Sequence, residues 1–283
     1  MGQKLISLAI REDIERFLLE DDLGRNLFYT QALPEKKVSC SLYFKSDLVV
    51  AGLPWFFETF AVLGADVPRD LIAQWEGKVV TKNEKAQIHF ELPFGMALMG
   101  ERVALNLLQR ASSIATYTQK FVEKAKAKNV AILDTRKTTP GLRSFEKYAV
   151  RVGGGNNHRF AQTDTWMVKD NHKYFFGGLK EAVTFFKTMQ SFYNSMVVEI
   201  HSLDELKEAI ALNIHHVMLD NFSSDKIKEA IKIKPQGMTY EVSGGVRFET
   251  IDDFLIDGVD AISLGAITYD APHVDISLKY KAQ

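Results

Sequence analysis

After residue 129 the chain settles into a regular alternation, which constrains its fold more than any other feature. Short β-rich runs lie at Val130–Leu133, Thr165–Val168, Met196–Ile200, His216–Leu219, Met238–Val242 and Ala261–Leu264, with amphipathic helical stretches between them. Parallel strands need a crossover of a dozen or more residues, and helices supply it, so the pattern predicts a parallel sheet with helical connections. The residues at or just past the run ends are Asp134, Lys169, Glu199, Asp220, Ser243-Gly244-Gly245 and Gly265. A polar or glycine terminus on every strand suits a β/α barrel, whose site is assembled from all its strand ends at the carboxyl face. An open Rossmann sheet would carry G-x-G-x-x-G after its first strand, and none is present here. Six alternations fall short of eight, so the expected architecture is an incomplete α/β barrel.

The helices of this half carry their own signals. Ser202 with Glu205 reads as a capping box ahead of Leu206, Ala209 and Ile210, and Ser223 or Ser224 caps the next helix. The first hundred residues read differently, as a small α+β domain. Residues 5 to 19 have helical spacing, ended by Glu20, Asp21, Asp22 and Gly24; the acidic run is best read as a solvated turn. Val38, Cys40, Leu42 and Phe44 alternate as a strand with one buried face. Leu48–Ala51 is a short run, and Pro54 starts a helix that Gly64 follows. Its aromatic stripe, Trp55, Phe56, Phe57 and Phe60, reads as core. Leu71–Val80 and Gln87–Leu92 are expected to be further strands. Ala97 to Lys128 is a long helical stretch, and Ala111-Ser112-Ser113 could divide it into two helices. Glu101 and Arg102 near its start read most simply as a surface ion pair.

Composition excludes several classes of function. The net charge of -1 leaves no global basic field of the nucleic-acid-binding kind. Any anion site must therefore be a local cluster. The single cysteine, Cys40, excludes an intramolecular disulfide and a cysteine-based zinc site, and fits a reducing compartment; a cytoplasmic location is expected. The N-terminus lacks an apolar signal core, and no window has the length of apolar sequence that a membrane span needs.

The densest local cluster is DTRKTTPGLR, Asp134 to Arg143, where Arg136, Lys137 and Arg143 sit on a loop just past a strand end. Three cations there suit an anion with several oxygens, a carboxylate pair, a phosphate or a diphosphate. Arg159, with His158 beside it, and Lys169 extend the set. Glu199 and Asp220 lie on neighbouring strand ends. They suit Mg²⁺ shared with substrate phosphate oxygens, or equally an acid/base pair. His158 and His172 have no further partner at zinc-site spacing. Glycines at the last strand ends, Gly244-Gly245 and Gly265, suit a phosphate cradle or a tight turn.

These segments resemble the quinolinate phosphoribosyltransferase family. The resemblance is carried by ERVALNLLQRASSIAT (Glu101–Thr116), DTRKTTPGLR, GGGNNHR (Gly153–Arg159), KDNH (Lys169–His172), the VEI and LDN at Glu199 and Asp220, VSGG (Val242–Gly245) and ISLGAIT (Ile262–Thr268), all in family order. DTRKT with GGGxNHR is the specific part. The resemblance implies an N-terminal α/β sandwich over residues 1–112, with the tail 270–283 packed back on it, and an incomplete barrel over 113–269. It implies transfer of a phosphoribosyl group to quinolinate with loss of pyrophosphate and carbon dioxide, a need for Mg²⁺, and a homodimer or larger homo-oligomer with a shared active site. By matching positions, Arg136, His158, Arg159 and Lys169 would bind the quinolinate carboxylates. Lys137 and Lys169 would face the pyrophosphate. Glu199 and Asp220 would hold the ribose hydroxyls and the metal. Ser243, Gly244, Gly245 and Gly265 would bind the 5-phosphate, and Arg102 would reach in from the partner subunit.

Two segments depart from the family. EDLGxGD near the N-terminus reads EDDLGRNL here, and the THSA after the last strand, whose histidine touches the 5-phosphate, reads Thr268-Tyr269-Asp270-Ala271. A related pyrophosphorylase of molybdenum-transport operons shares the barrel but usually lacks the full arginine–lysine loop. A non-catalytic sugar-phosphate-binding barrel would have little use for Glu199 and Asp220 beside the cations.

Overall fold

The structure, a computed structural model, describes residues 2–21, 31–85 and 87–282; most of EDDLGRNL therefore lies outside the described residues. The chain forms two compact units, residues 1–117 with 271–283, and residues 118–270.

In the first unit, α1 (Gly2–Glu20) buries Ile10, Ile14 and Leu18, one helical stripe at i, i+4 spacing. β1 (Lys37–Phe44) follows, then β2 (Leu48–Val49) and α2 (Leu53–Val62). The N-terminus of α2 is capped from a distance: the Glu76 carboxylate accepts from the N–H groups of Gly52 (2.7 Å) and Leu53 (3.0 Å). Gly52 has φ +99° and a Cβ there would lie 2.8 Å from Ala111 Cβ, so only glycine fits this turn. Phe56, Phe57 and Phe60 pack edge-to-face with one another or with Phe90, at centroid separations from 5.2 to 5.9 Å. Burying each ring is worth about 1.5–3 kcal/mol, so this stripe is the core, as its spacing suggests.

The expected strand over Leu71–Val80 is corrected. Asp70–Trp75 is α3, and only Val79–Val80 is extended, as β3. Leu71, Ile72 and Trp75 sit at i, i+1, i+4, which puts all three on one helical side, against the core. β4 (Gln87–Pro93) leads into α4 (Phe94–Ala125), and β11 (Ile276–Ala282) closes an antiparallel sheet in the order β11-β1-β4. Helix α4 is continuous through Ala111-Ser112-Ser113, against the expected division. Its serines serve other backbone: Ser112 Oγ bonds both the N–H and C=O of Ala51, and Ser113 Oγ accepts from Val274 N–H. Nor do Glu101 and Arg102 pair. Adjacent helical residues do not face each other, and Glu101 instead accepts from the Tyr280 hydroxyl.

The second unit holds β5 (Ala131–Leu133), α5 (Arg143–Val152), β6 (Trp166–Val168), α6 (Asp170–Phe176), α7 (Leu179–Met189), β7 (Met196–Ile200), α8 (Leu203–Ala211), β8 (His216–Asp220), α9 (Ser224–Lys232), β9 (Thr239–Ser243), β10 (Ala261–Ser263) and α10 (Ala266–Tyr269). The six strands form one sheet in the order β5-β10-β9-β8-β7-β6, parallel throughout. β5 and β6 end the row, yet residues at both ends line one cavity, so the sheet curls into a barrel that is not closed by hydrogen bonds. The two-residue period of a strand sorts the side chains. Val198, Leu219, Val242 and Ile262 pack outward beneath the helices, while Glu199, Met218, Asp220, Ser243 and Ser263 turn inward. Ser202 caps α8 through Glu205 N–H, but the Glu205 carboxylate accepts from His201 N–H, so the box is made one residue early. Ser223 caps α9. No helix among the described residues is long and apolar enough to cross a membrane.

Candidate active site

At the carboxyl ends of the six strands lies a cavity of about 600 Å³. Arg136 and Lys137 line it from the loop after β5, and His158 and Arg159 from the segment before β6. Lys169 comes from the end of β6, Glu199 from β7, Asp220 from β8, and Ser243, Gly244 and Gly245 from the end of β9.

The loop after β5 is held by two threonine hydroxyls bonded to its backbone. Thr135 Oγ1 accepts from Lys137 N–H at 2.9 Å, and the Lys137 carbonyl accepts from Thr268 Oγ1 at 2.8 Å. The loop therefore fixes its backbone and leaves both cationic side chains exposed. Beneath it, Asp134 is wholly buried and joined to the equally buried ammonium of Lys147. Burial pushes the Asp134 carboxyl up and the Lys147 ammonium down, each opposed by the attraction of its partner. Asp134 also accepts from His158 N–H at 2.8 Å, and Lys147 donates to the His158 carbonyl at 2.9 Å, so this pair clamps the His158 backbone on both sides. The His158 ring is fixed as well. Nδ1 accepts from Arg159 N–H at 2.7 Å, and Nε2 lies 3.4 Å from the buried Glu241. Arg159 donates to the carbonyls of Gln162 and Thr165; burial and then the nearby Arg136 lower its pKa.

Lys169 precedes α6. Its N–H donates to His172 Nδ1 at 3.0 Å, and the His172 ring packs on Phe186, so His172 is a structural cap rather than a zinc ligand. The Lys169 ammonium meets Glu199 Oε2. On the other carboxylate oxygen, Oε1, His201 Nε2 lies at 3.3 Å, and His201 Nδ1 is 3.8 Å from Asp220 Oδ2. Asn221 Nδ2 donates to that same Oδ2 at 2.7 Å. Gly244 has φ +95° and a Cβ there would come within 2.8 Å of Asn221 N, so the turn after β9 requires glycine.

Several expected members lie elsewhere. Arg143 donates to Thr138 Oγ1 and the Phe160 carbonyl, away from the cavity, so the loop offers two cations and not three. Gly265 is not a lining residue. The Tyr269 ring and the Lys137 stem cover it, with 2.7 and 2.9 Å left for a Cβ. Arg102 is exposed on α4, in the first unit. Gly155 is a packing residue against Thr118 and Val150. His201 was not singled out from sequence. Its signal is the E-x-H spacing, which places Glu199 and His201 on the same side of an extended strand end. Ser263, whose buried hydroxyl has no hydrogen-bond partner among the described residues, is a second such residue.

A curled parallel sheet with cations facing carboxylates across its strand ends defines an α/β-barrel protein built to hold a polyanion. Residues 28–112 match the N-terminal domain, and residues 114–279 the C-terminal domain, of quinolinate phosphoribosyl transferase. The chain belongs to the quinolinate phosphoribosyl transferase family. It is 37% identical over 272 residues to a probable nicotinate-nucleotide pyrophosphorylase (carboxylating) of Bacillus subtilis, covering 96% of this chain and 93% of that one. A protein of the same description from Methanocaldococcus jannaschii is 43% identical over 203 residues, 68% of this chain and 70% of that one. The crystal structure of NadC from Streptococcus pyogenes superposes with a TM-score of 0.87 at 33% identity, covering 98% of this chain and 99% of that one.

Proposed function

We propose that this chain is a quinolinate phosphoribosyltransferase, a nicotinate-nucleotide pyrophosphorylase of the carboxylating type that joins quinolinate to phosphoribosyl pyrophosphate and releases nicotinate mononucleotide, pyrophosphate and carbon dioxide for NAD biosynthesis. The observation that carries this is the meeting of Arg136, Lys137, Arg159 and Lys169 with Glu199 and Asp220 around one cavity, on a chain of this family. Four cations suit a substrate pair that brings two carboxylates, a diphosphate and a phosphate. Arg136, His158, Arg159 and Lys169 hold the quinolinate carboxylates, with Arg102 reaching in from the partner of a homodimer or larger homo-oligomer. Lys137 and Lys169 face the pyrophosphate. Ser243, Gly244, Gly245 and Gly265 take the 5-phosphate, Gly265 through its backbone.

Displacing pyrophosphate from the sugar carbon builds positive charge on the ribose ring. Glu199, 6% exposed, and Asp220 offset that charge where water screens little. Once the ring nitrogen is bonded to ribose, its positive charge stabilises the carbanion that loss of carbon dioxide leaves on the adjacent ring carbon, and a proton taken up from water completes the product, so the protein need only hold the ring. Glu199 and Asp220 also fit Mg²⁺, which favours one or two carboxylates together with phosphate oxygens. Bound there, the ion would neutralise charge on the leaving pyrophosphate. In this reading residues 113–269 are the catalytic domain and residues 1–112 with the tail 270–283 the sandwich, in a cytoplasmic enzyme.

The test is formation of nicotinate mononucleotide by the purified protein, with and without Mg²⁺, from quinolinate and from nicotinate. Losing one carboxylate would leave a cation unpaired, which costs several kcal/mol. Quinolinate should be turned over and nicotinate very poorly; comparable turnover of the two would sink the proposal.

A further inference from the structure

We infer that His201 is a third ligand of the divalent-ion site formed by Glu199 and Asp220, and that it turns this site toward a first-row transition ion such as Mn²⁺ or Co²⁺ and away from Mg²⁺. This rests on the reading above, in which the two carboxylates hold the ion.

The geometry of the three side chains is the basis. One donor atom from each of Glu199, His201 and Asp220 lies within 4.8 Å of the other two. Glu199 Oε1 and His201 Nε2 are 3.3 Å apart. An octahedral ion with ligands at 2.0–2.1 Å spaces neighbouring donors about 3 Å apart, so this pair already approximates one edge of such a site. The Lys169 ammonium occupies Glu199 Oε2, the other oxygen, so cation and imidazole do not compete for one atom. Asn221 orients Asp220 by donating to Oδ2, the oxygen that faces His201. The backbone is fixed too: His201 N–H donates to the Glu205 carboxylate at 2.8 Å, one residue before the N-cap of α8.

The donor set decides the preference. Mg²⁺ is a hard ion that binds oxygen and keeps much of its water. An imidazole nitrogen favours later first-row ions, whose affinity for a nitrogen-containing site rises along the series from Mn²⁺. Replacing a water or carboxylate oxygen by His201 Nε2 therefore strengthens Mn²⁺ and Co²⁺ binding while giving Mg²⁺ little. The competing role for His201 is that of a fixed countercharge between two carboxylates, which would bind no ion.

The experiment is equilibrium binding without substrate. The intact protein is titrated with Mn²⁺, followed by electron paramagnetic resonance, and with Co²⁺, followed by visible absorption; Mg²⁺ is measured by competition. Wild type should bind Mn²⁺ and Co²⁺ more tightly than Mg²⁺, and the Mn²⁺ complex should show coupling to an imidazole ¹⁴N. His201→Ala should abolish that coupling and weaken Co²⁺ and Mn²⁺ by at least about tenfold, the lower end of what loss of even an outer hydrogen-bond partner of a ligand costs. Mg²⁺ should change much less. His201→Asp, which offers only oxygen, should move the preference back toward Mg²⁺. His201 is 36% exposed, so neither variant opens a core cavity, and matched thermal melts check the fold. Equal affinity of wild type for the three ions, absence of ¹⁴N coupling, or unchanged Co²⁺ binding by His201→Ala would each overturn the inference. Glu199→Gln and Asp220→Asn separate the two layers. If they lose all three ions while His201→Ala loses none, the carboxylate reading stands and the histidine role falls. If they bind every ion as wild type does, both fall.

Discussion

The carboxylate of Asp134 and the ammonium of Lys147 meet directly in the interior, each side chain 0% exposed. Between them they take both backbone polar groups of His158. Removing one partner of such a pair leaves a buried charge unmatched, at about 3–5 kcal/mol. Lys147→Met should therefore lower unfolding free energy by that order in urea titration. The double variant Lys147→Met, Asp134→Leu should recover part of the loss. A single variant as stable as wild type would contradict the pairing.

Glu199 and Asp220 should matter most as positive charge builds on the ribose. Glu199→Gln and Asp220→Asn are expected to lower kcat by roughly two orders of magnitude, the scale of losing one electrostatic contact in a preorganised site. Quinolinate binding should weaken much less. Near-native kcat at saturating substrate would remove the residue from its assigned role.

By the family resemblance Tyr269 would stand in place of a histidine that touches the 5-phosphate, and its ring packs on Gly265. Tyr269→His should tighten phosphoribosyl pyrophosphate binding by roughly 1 kcal/mol through a charge-assisted bond. The gain should fade as pH rises through the histidine pKa. No change at any pH would place Tyr269 outside the phosphate site.

Burial raises the Glu205 carboxyl, but His201 N–H and the Lys173 ammonium more than offset this and hold it below the usual range. A depressed carboxyl pKa gives stability that is present above the unfolded-state value and lost as pH falls through the folded one. Unfolding free energy should thus decline on acidification below about pH 4.3, the ordinary glutamate value. Glu205→Gln should flatten that limb in urea melts taken across the acid range. An identical acid profile would show that the carboxyl is not coupled to folding.

Arg102 tests assembly. Arg102→Ala and Arg136→Ala should each be nearly inactive as pure homodimers if each pocket takes Arg102 from the partner. Mixed and allowed to exchange subunits, they should recover about a quarter of wild-type activity, because two-fold closure gives each heterodimer one intact pocket. Exchange without recovery would place Arg102 in its own subunit's site or in none.

The alternation after residue 129 was legible because both of its causes are local: apolar period along each element, and turn or cap residues between them. Strand ends could then be named, and Arg136, Lys169, Glu199, Asp220 and Gly244 do line one cavity. Other readings failed where local and tertiary preferences diverge. Leu71, Ile72 and Trp75 carry apolar bulk that a strand could also use, and only the core they face made them helical. Ser112 and Ser113 weaken a helix in isolation, yet here they satisfy the backbone at Ala51 and Val274.

By itself the sequence determined the class of the second unit, six parallel strands with helical crossovers, and the charged residues available at their ends. Tertiary structure alone decided which of those charges meet. Asp134 and Arg136 are two residues apart, yet burial ties Asp134 to Lys147 while Arg136 turns to the cavity. Arg143 points away, and His201, unremarkable in the chain, comes between Glu199 and Asp220. Periodicity repeats along one element and can be read there. Convergence depends on how the sheet curls, and that is fixed by packing between residues far apart in the chain.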